Sequence, residues 1–519
     1  MAESRTHSSF QNLKYGMLNT LLITILPFVT RTFFIKFLGQ NYLGIDAVFL
    51  NIINMIEIVN VGIGTAITYS VYKPIADGDT EKCRTLFRLY RTCYYIIGVV
   101  VLCIGLALMP FLDSLLKETP DIPENLYVIY LFMLLSTVSF YFFADKQCVI
   151  VAHQKSYIVS KVKIVSVAAI NILEIFFLFL TKKYMVYLAL QSLQNTVIYG
   201  FVSYKAKKLY PQFFGGKVNP VDPEDKKNIV KNTTALVFNR AGSLIINCTD
   251  SFIIASCVNV ASAGFYSNYL VIKNALNNFT MMFTSSLTAS IGNLNASEKS
   301  ADKQRLYDVF CHTYFVNYFI HAFCSICMIC LFEPFIALWL GKTYCMGIEV
   351  VLIVTANFYF LGVQKTAEQF KSACGLFWQD RYRVFIESIM NLIVSLILVR
   401  HYGVFGVLAG TLISNILVTF WVEPLIVYKH ALQRNVWLYY SKNAAYLLIA
   451  AAGAFLMYKL NFLVFGMKTS LVAFVLRAGF TAVLTAAFLL LVFARNNYLK
   501  ETVKMAKTLL FSRFLKHAK

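Results

Sequence analysis

Apolar runs of about twenty residues recur along the whole chain, and charged residues are confined to the gaps between them. A bilayer core of about 30 Å takes about 20 helical residues, and a backbone in lipid can satisfy its polar groups only as a helix or a closed barrel. The runs lie near 14–37, 43–72, 87–110, 125–151, 157–180, 184–204, 232–257, 262–292, 308–338, 347–371, 380–400, 403–428, 441–462 and 470–494. An all-α, polytopic membrane protein of about fourteen transmembrane helices is expected. Only 14% of the 519 residues are charged and 58% are hydrophobic, too little polar surface to cover soluble domains of that total length. The net charge of +21 would suit a nucleic-acid binder if it were gathered into stripes on soluble modules, but here it punctuates apolar runs. The first run ends at Phe37 without a small-residue cleavage site, so it is expected to remain as an uncleaved helix.

Cytoplasmic loops retain Lys and Arg, which gives an independent check on this division. With the N-terminus placed inside, 35 of the 47 Lys and Arg residues fall in cytoplasmic segments and nine at outside ends; Arg240, Lys273 and Arg477 lie within helices. The bias repeats at every loop and predicts both termini on the cytoplasmic side. Outside loops are short, with no room for an extracytoplasmic catalytic domain. The one substantial inside loop, 205–231, holds Pro211, Gly215, Gly216, Pro220 and Pro223 and reads as a linker.

Shifting the chain by 220 residues lays Asn12, Asn19, Asn54, Asn171 and Asn195 on Asn232, Asn239, Asn274, Asn391 and Asn415, and Gly44 on Gly264. Each half then holds six helices, an even number, so the halves share one orientation and enclose a central cavity that can open alternately to each side. The expected organisation is an N-terminal lobe over 1–210, a linker over 211–231, a second lobe over 232–430, two additional helices over 431–496 and a basic tail over 497–519. Leu499, Val503, Ala506, Leu510 and Leu515 interleave with basic residues in that tail, which fits either a membrane-surface amphipathic helix or a solvated tail.

The residues Arg31, Leu38-Gly39, Tyr42, Gly44, Gly62 and Gly64 resemble the first two helices of polysaccharide-transport flippases in the multidrug/oligosaccharidyl-lipid/polysaccharide exporter superfamily. Asp250 with Gly264 and Tyr266 is similar to the start of their second half, and Tyr402-Gly403-Val404-Phe405-Gly406 to their helix 12. The resemblance implies a flippase that moves a polyprenyl-pyrophosphate-linked saccharide across a bacterial cytoplasmic membrane for surface polysaccharide synthesis. Membrane lipids and polysaccharide-assembly proteins would be its partners. Fourteen helices, as in lipid II flippases, fit the appended pair.

Charges within helices are the strongest functional signal, since each costs about 2.5–3.5 kcal/mol at the bilayer centre on insertion scales. Arg31, Lys273 and Arg240 are the expected pyrophosphate ligands, because a dry cavity strengthens charge-assisted hydrogen bonds to phosphate oxygens. Asp250 and Glu57 are expected to close the empty site or to carry a coupling H+ or Na+; no other cofactor is expected. The competing reading of each is a structural ion pair or a snorkelling side chain, and Glu174 is assigned to that class. The run His321-x-x-Cys324-x-x-Cys327-x-x-Cys330 reads as helix packing rather than a metal site, since its positions drift around one helix. Two other functions compete with the flippase. A cation-coupled multidrug or toxin extruder would show an acidic cavity, and a membrane polymerase or acyltransferase would need a large outer loop or a convergent His/Asp/Arg site. Neither of the latter features is found, nor is an ATP-binding P-loop.

Overall fold

The apolar runs become α-helices. The computed structural model describes residues 5–57, 63–112, 122–215, 220, 222–223, 248–284, 301–374, 376, 379–466 and 470–504, and among these there is no β-strand. The protein is all-α and polytopic. In chain order the helices are α1 (Arg5–Leu38), α2 (Gln40–Ile56), α3 (Ile63–Asp77), α4 (Thr80–Leu108), α5 (Leu126–Tyr141), α6 (Ala144–Ala152), α7 (Ser156–Thr181) and α8 (Tyr184–Leu209). There follow α9 (Cys248–Cys257), α10 (Val260–Thr284), α11 (Ala301–Trp339), α12 (Ile348–Ala373), α13 (Arg383–Ser414), α14 (Phe420–Val427), α15 (Trp437–Phe465) and α16 (Leu471–Val492). The seventh run is described only over α9. Residues 113–121, most of the 216–247 stretch, 285–300 and the tail beyond Lys504 lie outside the described residues.

Among the described residues eight helices are long and apolar enough to span a membrane, and α5 with α6, bent by 43°, makes a ninth. One of the eight, Arg383–Leu432, has 50 residues, about 75 Å if straight and more than twice the hydrocarbon thickness. It folds back on itself. Gly403 adopts φ 54°, ψ −132° inside α13, a backbone conformation open to glycine and closed to most side chains. Beyond it the chain runs antiparallel. Asn391 Nδ2 donates to Thr411 Oγ1 (2.9 Å), Ser395 Oγ to Val407 O (3.1 Å) and Asn415 Nδ2 to Glu387 Oε1 (3.3 Å), a constant hairpin register. The run therefore supplies the two spans expected over 380–400 and 403–428.

The chain forms two compact units, Met1–Val271 and Ile272–Lys519. Their boundary falls within α10, and the proline- and glycine-rich stretch 211–231 belongs to the first unit. In the first unit α1 packs along α7, α7 along α8, and α8 along α5. In the second, α11 is the hub against which α12, α15 and α16 pack, through an aromatic cluster that includes Phe310, Tyr314, Tyr318, Tyr428, Tyr439 and Tyr446. The appended pair α15 and α16 turns large apolar side chains outward, among them Leu463 (81% exposed) and Leu491 (77%), as lipid-facing helices must.

Gly44 and Gly264, the pair equated by the 220-residue shift, pack against one another within the first unit. A Cβ on Gly264 would sit 2.8 Å from Gly44 N, and one on Gly44 would sit 2.2 Å from Val260 O. The clash is with backbone, so no rotamer relieves it. Gly264→Leu is expected to lower stability by at least the 1–3 kcal/mol typical of overpacking, read as a loss of detergent-stable protein on size exclusion, while Gly200→Leu, with open space around it, leaves the yield unchanged.

Candidate functional site

Four helices of the first unit, α1, α2, α7 and α8, enclose a cavity of about 360 Å³. Pro27 lacks the amide hydrogen that would bond back to Ile23, and both residues line the cavity wall. One helical turn further on, Thr30 Oγ1 donates to Asn171 Oδ1 (2.7 Å) and Asn171 Nδ2 to Val167 O (2.8 Å), which ties α1 to α7. Phe34 packs edge-on against Tyr184 and Tyr187, and Tyr42 lies against Tyr184 with its hydroxyl on Glu124. Of these rings, Phe34 and Tyr187 line the cavity.

Arg31 projects into this space. Its Nε donates to Asn268 Oδ1 (2.7 Å) and a terminal nitrogen donates to Ser267 Oγ, which in turn donates to Gly264 O (2.6 Å). The guanidinium is thus aimed by two neutral side chains of α10. Its charge is balanced at longer range by Asp46, whose carboxylate is its principal electrostatic partner. Asp46 and Glu174 line the same cavity, with Tyr187, Gln191 and Gln194. On the cavity wall, Asp46 Oδ1 is buried and carries no hydrogen bond among the described residues. A buried polar atom without a partner costs about 1–3 kcal/mol, so the cavity holds back capacity that a polar ligand or a cation can use.

The other expected residues fall elsewhere. Glu57 caps the C-terminus of α2, and Asp250 is buried in α9 with the Tyr266 hydroxyl against it. Both lie within electrostatic reach of the Cys248 thiol. Neither lines the Arg31 cavity. Lys273 sits on α10 just past the boundary of the first unit, half-buried, and Arg240 lies outside the described residues. Sequence reasoning missed Asp46 and set Glu174 aside. Asp46 was findable, being a carboxylate inside the apolar run that opens with Tyr42 and Gly44.

The second unit carries an ionic network that the loop-charge count concealed. Lys371 pairs with Asp380 and with Glu423 (2.7 Å). Arg383 reaches Asp380 (2.7 Å), Glu387 (3.1 Å) and Glu423 (2.9 Å), and its Nη1 donates to Thr419 Oγ1 (2.8 Å). The π-helical turn Asn415–Thr419 places both its end residues on Glu387, and Gln364 Nε2 donates to Asn415 Oδ1 (2.9 Å). Lys371, Asp380, Glu387 and Glu423 are all buried. His321 is also buried, with Nδ1 2.8 Å from Asn317 O, and the described residues contain no His/Cys/Asp/Glu cluster able to hold a metal.

Helix bundle, outward-facing apolar side chains and a charged cavity together define a multi-pass membrane protein, and the family it matches is one of transporters rather than enzymes. The chain belongs to the polysaccharide biosynthesis protein family, which residues 9–291 match, within the multidrug/oligosaccharidyl-lipid/polysaccharide exporter superfamily. Its fold is similar to that of the lipid II flippase MurJ in an inward closed conformation, with 14% identity and a TM-score of 0.61 over 92% of this chain and 98% of that one. It is also similar to an inward-facing multidrug resistance MATE family transporter (13% identity, TM-score 0.59, 80% of this chain and 98% of that one). A superfamily transporter from Pyrococcus furiosus matches at 14% identity and a TM-score of 0.52, over 83% of this chain and 97% of that one. A search of curated protein sequences finds no match.

Proposed function

We propose that this transporter is a flippase for a polyprenyl-pyrophosphate-linked saccharide in a bacterial cytoplasmic membrane, working by alternating access with both termini in the cytoplasm. The observation that carries the reading is Arg31, a guanidinium lining a cavity within the family-matched residues, held by Asn268 and Ser267 and bonded to no carboxylate among the described residues. Arg presents a rigid fork of donors suited to phosphate oxygens, and it is more weakly hydrated than an ammonium. Lys273 and Arg240 are proposed as further anion ligands, and Asp250 and Glu57 as gating or coupling groups. Asp46 and Glu174 join the coupling set, because carboxylates in a confined cavity exchange an H+ or Na+ as the charge of Arg31 is engaged and released. The contact of Gly44 with Gly264, the residue equated to it by the 220-residue shift, supports an internal repeat, since equivalent residues meet near the axis that relates two repeats.

A second reading has an observation of its own. Two carboxylates against one guanidinium give the Arg31 cavity an acidic balance, the polarity expected of a cation-coupled multidrug extruder. Depletion in the native host separates the two. The flippase reading expects lipid-linked saccharide to accumulate on the inner leaflet without a change in dye resistance; dye sensitivity with no such accumulation would favour the extruder. Orientation is checked with single-cysteine probes in a cysteine-free variant. Positions 82 and 299 are expected to react only from the cytoplasm and position 118 only from outside, and external labelling of position 82 in intact cells would reverse the topology.

A further inference from the structure

We propose that the first unit carries a separate site for the phosphate of an anionic membrane lipid, at the end where α4 begins. The inference is independent of the flippase reading. A cavity of about 540 Å³ opens there, within the size range of small-ligand clefts. Arg84, Arg88, Arg91, Lys146 and Lys207 line it, from three stretches of chain far apart in sequence, with Asp145 as its one acidic residue.

Three features separate this pocket from an ordinary solvated basic face. Lys146 is only 7% exposed and paired with Asp145 at 2.7 Å, so this ammonium is fixed in the wall with its counter-charge, and the positive excess of the pocket comes from Arg84, Arg88, Arg91 and Lys207. Arg84 holds the floor, donating from Nε and a terminal nitrogen to Gln212 O (3.2 and 3.0 Å), which fixes the turn that follows α8. The third feature is the course of α4. Arg88, Arg91 and Tyr95 share one helical face, and the same face continues into the membrane as Val99 (53% exposed), the exposed Cys103 and Leu106 (44%). Cations at headgroup depth above an open apolar stripe fit a phosphate with an acyl chain attached. A soluble anion would use only the upper half. Tyr95 sits at the junction, its ring 5.1 Å from the Arg91 guanidinium and its hydroxyl accepting from Arg91 Nε (3.1 Å), as interfacial aromatics do.

Basic pockets between transmembrane helices on the inner side suit anionic headgroups, each exposed cation contributing about 1 kcal/mol. Removing Arg88, Arg91 and Lys207 together should therefore weaken lipid retention by about 100-fold. The test is native mass spectrometry of the full chain titrated with phosphatidylglycerol or phosphatidylcholine. Wild type is expected to retain phosphatidylglycerol preferentially, the triple alanine variant to lose that preference, and Arg88→Lys with Arg91→Lys to keep it. A control with Lys182→Ala and Lys183→Ala, at the other end of the helices, is expected to behave as wild type. Equal retention of the two lipids by wild type, unchanged retention in the triple variant, or an equal loss in the control would overturn the site. Tight binding of inorganic pyrophosphate that displaces phosphatidylglycerol would overturn the lipid assignment in favour of a soluble anion.

Discussion

Arg31→Ala is expected to lower export of the lipid-linked saccharide by at least about tenfold while the protein inserts at normal levels. A hydrogen bond to a charged group contributes about 1.5–3 kcal/mol, and a pyrophosphate deprived of the guanidinium loses that term together with Coulomb attraction. Removing Arg31 also leaves Asp46 without its balancing cation, which works against any anion entering the cavity. Arg31→Lys should retain part of the activity, since it preserves charge but loses the two-pronged hold on Asn268 and Ser267. Export by quantitative recovery of surface polysaccharide, normalised to membrane-inserted protein, is the measurement. Normal export by the alanine variant would remove Arg31 from the anion site.

A larger effect on stability is expected in the second unit. Arg383→Ala strips one cation from a buried group that holds Asp380, Glu387 and Glu423, leaving Lys371 on Asp380 and Glu423 and taking from Glu387 its ion pair. Breaking a buried pair by removing one partner costs about 3–5 kcal/mol, because the uncompensated charge stays out of water. Thermal unfolding in detergent should show a marked fall in midpoint. Lys365→Ala, which removes a half-buried i,i+3 pair with Glu368 (2.6 Å), should move it less, since a partly open pair loses less on breaking than a buried one. Equal midpoints for the two variants would mean that water reaches the network.

Which parts of this were legible in the sequence follows from what each signal measures. Run length reports span length, so the helices were found, also where residues 58–62, outside the described residues, fall between α2 and α3 and where α5 and α6 bend apart. The hairpin within Arg383–Leu432 was legible because Gly403 marks the turn. Arg31 stood out as a cation within the last two turns of the first apolar run. The second-unit network did not, because counting Lys and Arg by loop places Lys371 and Arg383 at the cytoplasmic ends of their helices and is silent on burial. Only the packing of α12, the 379–382 turn, α13 and α14 brings Lys371 to Asp380 and Glu423. Glu174 was set aside for the same reason. Its place in the cavity comes from the packing of α7 against α1, which helix periodicity alone does not register.

The central claim is tested most directly with the purified protein in liposomes holding a fluorescent polyprenyl-pyrophosphate-linked saccharide. Outer-leaflet exposure is read by a quencher that cannot cross the membrane, with and without an imposed proton or sodium gradient. Wild type should expose the lipid in a gradient-dependent manner, Arg31→Ala should not, and Asp46→Asn should lose the response to the gradient. Transport of a cationic dye by wild type, with no movement of the saccharide lipid under any gradient, would contradict the account.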